Sequence, residues 1–360
     1  MPRNTLAKIL AGHVVDLSDN AMPPPEALLA QAASEGVLAL LGQRVSQLRN
    51  APTGFIDELL AAGRSLAASS LLLEAECRRT LATLPPQKPV LMLKGSALAH
   101  WLYPQPFLRE CSDIDLLMSS RADVEQAAEQ LGGIGYAMHH QPDDLAHELL
   151  CRRELANGMR VDLDMHWRLV NAPVFADVFG FDELHAAAIP LPRLGPTARG
   201  LCPVHAFAHA AMHRAINLYT GIGDRLKWLY DLHLLAKSFD ANDWESLVRL
   251  CGQRGISGVC IEGIEATEAM FGQVAPASVL ECLDGARARD RVDARRMGEW
   301  GYMQRRNLAS LPSGRVRLRW LWQSLLPPTG YLQELYGSER GRMWLLMERG
   351  RRACRRLVPW

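Results

Sequence analysis

Residues 111–118 read CSDIDLLM. Asp113 and Asp115 stand one residue apart and run directly into Leu116, Leu117 and Met118. The apolar run predicts a buried strand, and side chains on a strand alternate between its two faces. Both carboxylates therefore project from one face, while Ile114 and Leu116 project from the other. Like charges about 7 Å apart on a rigid strand repel unless a cation lies between them. Magnesium takes oxygen ligands and binds through one or two carboxylates together with substrate phosphates. The bland alternative is a solvated pair on an edge strand.

Upstream, Val90–Leu93 is a short apolar run followed by Lys94, Gly95 and Ser96, and then by a helical stretch, SALAHWLY. Ser96 reads as the N-cap of that helix. Free N–H groups at a helix N-terminus attract phosphate, and glycine lets the backbone approach closely. The bland alternative is a plain cap after a turn.

Downstream, Val161–His166 alternates strictly. Val161, Leu163 and Met165 share one face; Asp162, Asp164 and His166 share the other. If this strand lies beside the DxD strand, a third carboxylate joins the pair, as two-metal chemistry requires. Alternatively an aspartate pairs with Arg152, Arg153 or Arg160. Asn157-Gly158 before it is a strong hairpin signal, and Gly195-Pro196 turns a second apparent hairpin. Gly-Tyr-Ala-Met-His-His at 135–140 also reads as a strand.

The rest is helical. EALLAQAASEGVLALLGQRVSQL and FIDELLAAGRSLAASSLLLEAECRRTLATL show apolar residues three and four apart. Ser120 with Asp123 reads as a helix start, as does Asn242 with Glu245. The expected class is α+β, a small mixed sheet with flanking helices, divided as a helical region 1–85, an α/β core 86–200 and a helical domain 201–360.

These segments carry a resemblance. LKGSALAHWLY, Arg109 with SDIDLLM, VDLDMHWRL and RLKWLYDLHLL are similar to the nucleotidyltransferase superfamily typified by DNA polymerase beta. They more closely resemble a poorly characterised bacterial nucleotidyltransferase family carrying LKG…R…DIDLL, D-x-HWRL and RLKWLxDL. The tail RLRWLWQSLLPPTGYLQELYG resembles that family too. The resemblance implies a magnesium-dependent enzyme with two ions. It would move an NMP from an NTP to an acceptor hydroxyl or phosphate and release pyrophosphate. It implies Asp113, Asp115 and Asp164 as catalytic metal ligands, with Asp162 as the alternate. Gly95 and Ser96 would bind phosphate, with Lys94 and Arg109 as flanking cations. Seventeen positions separate Ser96 from Asp113, more than the superfamily minimum. A similar layout occurs in nucleotidyltransferase-like toxins, so a toxin-like RNA transferase is one alternative, and a non-catalytic nucleotide- or partner-binding protein is another.

Other patterns weigh less. His205, His209 and His213 recur every four residues on one helix face, but no HExxH glutamate accompanies them, so cleft-lining or bundle packing is expected rather than zinc. Arg225 or Lys227 could reach the triphosphate, as could His166 the cleft; Lys227 and Asp231 also make a favourable i,i+4 pair. There is no GxSxG elbow and no P-loop. Eight cysteines without a CxxC pair suit reduced thiols and a cytoplasmic chain. Net charge is +1, neutral on nucleic acid. The final 20 residues hold six arginines and one glutamate. A docked terminal helix with solvated arginines is the preferred reading; RNA and an anionic membrane surface are the others.

Overall fold

A computed structural model describes residues 2–19, 21–139, 147–327, 332–333, 336–337 and 340–357, with no side chain described at 324 or from 353 onward. The chain forms two compact units, Met1–Met303 and Gln304–Trp360.

The first unit is built around a mixed sheet. Its strands are β3 (Leu91–Met92), β4 (Asp113–Leu117), β5 (Ala137–Met138), β6 (Glu148–Glu154), β7 (Arg160–His166), β8 (Ile189–Pro190) and β9 (Arg199–Gly200), in the order β5-β6-β7-β4-β3-β9-β8. The DxD strand β4 runs parallel to β7 and antiparallel to β3. The Asn157-Gly158 hairpin forms as expected: Gly158 has φ +79°, and β6 pairs antiparallel with β7. The hairpin at Gly195 also forms, but its second strand joins the main sheet beside β3. His140, at the end of the expected strand 135–140, lies outside the described residues.

Alternation sorts the two faces of the sheet. Ile114, Leu116, Val161, Leu163 and Met165 are fully buried. They pack with Leu73, Cys77 and Leu81 of α4 (Thr53–Thr83) and with Val124 and Leu131 of α6 (Arg121–Gly132). Burying each large apolar side chain contributes about 1.5–3 kcal/mol. Leu91, Leu93 and Leu117 instead join Phe207, Ala208 and Ala211 of α8 (Pro203–Thr220). The acidic face of β4 is thus turned toward the helices that follow the sheet. Those are α8, α9 (Leu226–Ser238), α10 (Ala241–Arg254), α11 (Ser257–Phe271) and α12 (Ala277–Ala286).

Helix starts follow local hydrogen bonding. The Ser120 hydroxyl accepts from the Asp123 N–H and caps α6. The capping box of α10 lies two residues before the expected one. Asp240 accepts from the Asp243 N–H at 2.9 Å and Asp243 accepts from the Asp240 N–H at 3.2 Å. Helix α5 (Lys94–Trp101) begins at Lys94 with Leu93 as its cap, so Ser96 sits inside the first turn.

The N-terminal region holds α1 (Pro2–Leu10), α2 (Pro25–Glu35), α3 (Leu38–Gln43) and α4, and adds a parallel pair, β1 (Val15–Asp16) with β2 (Leu48–Arg49), where only helix was expected. The Asn50 side chain donates to the Asp16 carboxylate at 3.0 Å and ties the pair together. These helices share a core with Leu226 and Tyr230 of α9 and with Tyr103 and Leu108 of the α5–β4 connection.

The second unit contains most of α13 (Trp300–Ser310), α14 (Gly314–Leu325) and α15 (Arg342–Leu357). Ser313 caps α14 by accepting from the Val316 N–H at 3.3 Å. No helix among the described residues is long and apolar enough to cross a membrane.

Candidate active site

The β4–β7 register sets Asp113 against Asp162 and Asp115 against Asp164. Of the two β7 aspartates, only Asp164 gathers with the DxD pair: one carboxylate oxygen each from Asp113, Asp115 and Asp164 lie within 4.8 Å of one another. Strand β6 explains the difference. It places Arg152 opposite Asp162 and Leu150 opposite Asp164. Arg152 donates to Asp162 at 2.7 and 3.2 Å, and Arg160 approaches it at 3.5 Å. Asp162 is therefore neutralised on the spot, and Asp164 is not.

Burial without enough compensating charge marks the cluster. Desolvation, then the neighbouring Asp115 and Glu148 charges, pushes Asp164 up to about 7. Desolvation and Asp115 also raise Asp113. Burial acts on Asp115 in the same direction, but Lys94 and His166 outweigh it and hold that carboxyl below the usual range. The Lys94 Nζ lies 2.5 Å from Asp115 Oδ1, and His166 Nε2 lies 3.2 Å from the same oxygen. His166 Nδ1 lies 3.3 Å from Glu148. Lys94 is the ammonium in contact with the cluster, and Lys227 acts on Asp113 from the helix side. Hard oxygen ligands carrying excess negative charge in a partly desolvated site suit a divalent cation such as Mg2+, so the residues present fit the metal that the motif implies.

The turn between β3 and α5 forms the second side. The Leu93 N–H donates to the Asp115 carbonyl at 3.0 Å. Lys94 then takes φ +49°, a left-handed conformation costing a side chain about 1–2 kcal/mol. Such strain persists where the surroundings over-determine it. A Cβ on Gly95 would stand 2.6 Å from Cys111 Sγ and 3.0 Å from an Arg109 nitrogen, so only glycine fits this approach. The Ser96 hydroxyl was expected to add a phosphate donor. It is engaged instead: it donates to the Leu93 carbonyl at 2.9 Å and accepts from the Asp115 N–H at 3.3 Å. Arg109 was expected as a flanking cation. Its guanidinium is buried and bidentate on Asp231, at 2.8 Å through Nε and through Nη2.

Helices α8 and α9 close the site. A cleft of about 980 Å³, its open mouth included, is lined by Lys94, Gly95, Asp113 and Asp115 on the sheet side. His209, His213, Arg225, Lys227 and Trp228 line it on the helix side. Burial, then Lys94, lowers His209 to about 3, and its Nε2 is buried without a partner among the described residues. His213 is lowered well below its ordinary value by the same two causes and meets Trp228 edge-on at 5.3 Å. Arg225 lies over the Trp228 ring at 5.6 Å. His205 lies elsewhere, 3.2 Å from Cys202 Sγ and edge-on to Phe179. The expected i,i+4 pair of Lys227 with Asp231 gives way to Asp231 with Arg109 and Tyr103. The Lys227 stem packs over Gly36, whose φ is +68°.

Sequence reasoning missed Glu148, behind His166, and Asp231, which anchors Arg109. The hairpin register around Asn157-Gly158 held the signal for the first: it sets Glu148 opposite His166. Nothing local marks the second, 122 residues from its partner.

No curated protein matches the chain. Residues 23–295, well over half of the 360, match the model of a family described as "uncharacterised nucleotidyltransferase". With the acidic cluster, the strained turn and the facing cleft on one sheet, the chain belongs to that nucleotidyltransferase family.

Proposed function

We propose that the protein transfers a nucleotidyl group from an NTP to an acceptor hydroxyl or phosphate and releases pyrophosphate. The observation that carries this reading is the convergence of Asp113, Asp115 and Asp164 beside Lys94, on the cleft-facing side of the sheet. Family membership supports it.

Asp113, Asp115 and Asp164 would hold Mg2+, two ions being the expectation. The bound metal supplies Lewis-acid stabilisation of phosphoryl charge and lowers the acceptor's pKa. The chain's own residues position and neutralise. Lys94 offsets triphosphate charge while bracing Asp115. Gly95 lets the start of α5 pack against Cys111 and Arg109, which sets its backbone in the cleft wall, where N–H groups at the helix start would meet a phosphate. Ser96 and Arg109 act behind this surface. The serine ties the first turn of α5 to β4, and the arginine ties the 109–112 segment to α9. His166 orients Asp115 from the opposite side, with Glu148 3.3 Å from its other ring nitrogen. Arg225, just before α9, and Lys227 in its first turn supply positive charge, and His209 offers a neutral ring nitrogen to the substrate. Catalysis of this kind is mostly positioning and charge stabilisation.

Incubation with each α-phosphate-labelled NTP, Mg2+ and fractionated small molecules, proteins or RNA tests the reading. Label transfer coupled to pyrophosphate release, lost in Asp115→Asn, supports it. Release of labelled NMP or inorganic phosphate alone, with no acceptor labelled, argues against it.

A further inference from the structure

The second unit differs in charge from the rest of the chain. Residues 304–360 carry twelve arginines, no lysine and three glutamates, a net charge of +9. Residues 1–303 carry 28 basic and 36 acidic side chains, a net charge of −8. The whole-chain value of +1 hides this split.

Helix α14 adds a second anomaly. Leu318, Leu321, Trp322 and Leu325 are 70%, 40%, 65% and 69% exposed. At about 100° per residue they fall within one arc of roughly 100° around the axis. Val316, Trp320 and Gln323 on the other side are half-buried. The helix packs by one face and presents its most apolar face outward. On α15, Met343 and Met347, one turn apart, are 73% and 60% exposed. Contiguous exposed apolar side chains of this size mark an interaction surface.

We propose that residues 304–360 form a docking surface for an anionic lipid bilayer, with the apolar arc of α14 seated at the boundary between headgroups and acyl chains. Charge complementarity selects this occupant. A net charge of +9 is attracted to an anionic leaflet, and guanidinium groups bind phosphate in two-pronged fashion. Arginines beside the arc, such as Arg315, can lay their stems along it and reach outward to headgroups. A second copy of the same surface would bring +9 against +9. An RNA backbone would be met by arginines, whereas the outward arc of α14 is leucine and tryptophan. The inference is independent of the nucleotidyl-transfer reading, because these residues lie beyond the family match at 23–295.

Flotation of the full chain with vesicles tests it. One set contains phosphatidylglycerol in phosphatidylcholine and the other phosphatidylcholine alone, in about 0.1 M salt, where the screening length is about 10 Å. The chain is expected to float with the anionic vesicles and stay behind with the neutral ones. Leu318→Glu/Trp322→Glu changes only exposed side chains and is expected to cut the bound fraction roughly tenfold, with an unchanged circular dichroism spectrum and melting temperature. Arg315→Glu/Arg342→Glu is expected to weaken binding and its salt dependence together. Three results would overturn the proposal. The first is no flotation with anionic vesicles. The second is equal flotation of wild type and Leu318→Glu/Trp322→Glu. The third is absent vesicle binding together with either a tRNA gel shift or a dimer that those substitutions abolish, which would reassign the surface to nucleic acid or to self-association.

Discussion

Arg109 and Asp231 form a buried, bidentate ion pair across 122 residues of sequence, and Tyr103 donates a third hydrogen bond to the same carboxylate at 2.7 Å. The pair joins the segment leading into the DxD strand to α9, which forms the far wall of the cleft. An arginine beside an acidic cleft is readily taken for a ligand contact. Here its donors are used to hold the two walls together.

Removing one partner of such a pair leaves the other charge buried, which costs about 3–5 kcal/mol. Asp231→Ala is therefore expected to lower the melting temperature sharply. Arg109→Lys should rescue little, because an ammonium cannot reproduce the fork. A thermal melt checks both, and an unchanged melt in Asp231→Ala would show that the pair is dispensable.

Gly95→Ala inserts a methyl group 2.6 Å from Cys111 Sγ. Overpacking of this kind costs about 1–3 kcal/mol, and it shifts the turn that carries Lys94. NTP affinity should fall more than stability does. Cys111→Ala in the same chain removes the nearest obstacle and should recover part of both. The comparison needs melts and NTP titrations of the single and double variants.

Asp164 carries a pH signature in chelator. Its carboxyl titrates at about 7 in the folded chain, against an ordinary value of 3.8. Between those values the native state holds a proton that the unfolded state has released. This group's contribution to stability is therefore full below about pH 4 and is lost as pH rises through about 7. Wild type should lose stability relative to Asp164→Asn over that window, and Mg2+ should remove the difference by favouring the ionised form. Melting temperatures from pH 4 to about pH 8, with and without Mg2+, measure this; parallel curves in chelator would contradict it.

His209 separates stability from binding. Its Nε2 is buried without a partner among the described residues, in a wall of the cleft. Leaving a buried polar group unpaired costs about 1–3 kcal/mol. His209→Leu should therefore melt no lower than wild type, and could melt higher, while NTP binding weakens. Loss of stability with unchanged binding would make the histidine a structural residue.

Much of this site was legible in the sequence because strand alternation is strict. The face shared by Asp113 and Asp115, the face shared by Asp162, Asp164 and His166, and the Asn157-Gly158 turn all follow from period two. The choice between Asp162 and Asp164 needed register. Arg152 stands opposite Asp162, and that pairing was computable from the hairpin once its turn was fixed. The Ser96 hydroxyl lies inside the first turn and not at the cap because the helix starts two residues earlier, at a left-handed Lys94 that no propensity favours. The Arg109–Asp231 pair could not be read in the sequence because Asp231 arrives from α9 through tertiary packing. The basic character of residues 304–360 was hidden in the whole-chain charge of +1, because residues 1–303 carry −8.

On the proposed reading, the aspartate cluster holds a metal–nucleotide complex. Calorimetric titration of ATP, GTP, CTP and UTP, each with Mg2+, into wild type and Asp113→Asn/Asp115→Asn tests it most directly. Wild type is expected to bind at least one NTP in a Mg2+-dependent manner, and the double variant none. Absence of NTP binding by folded wild type, or equal binding by the folded variant, would contradict it.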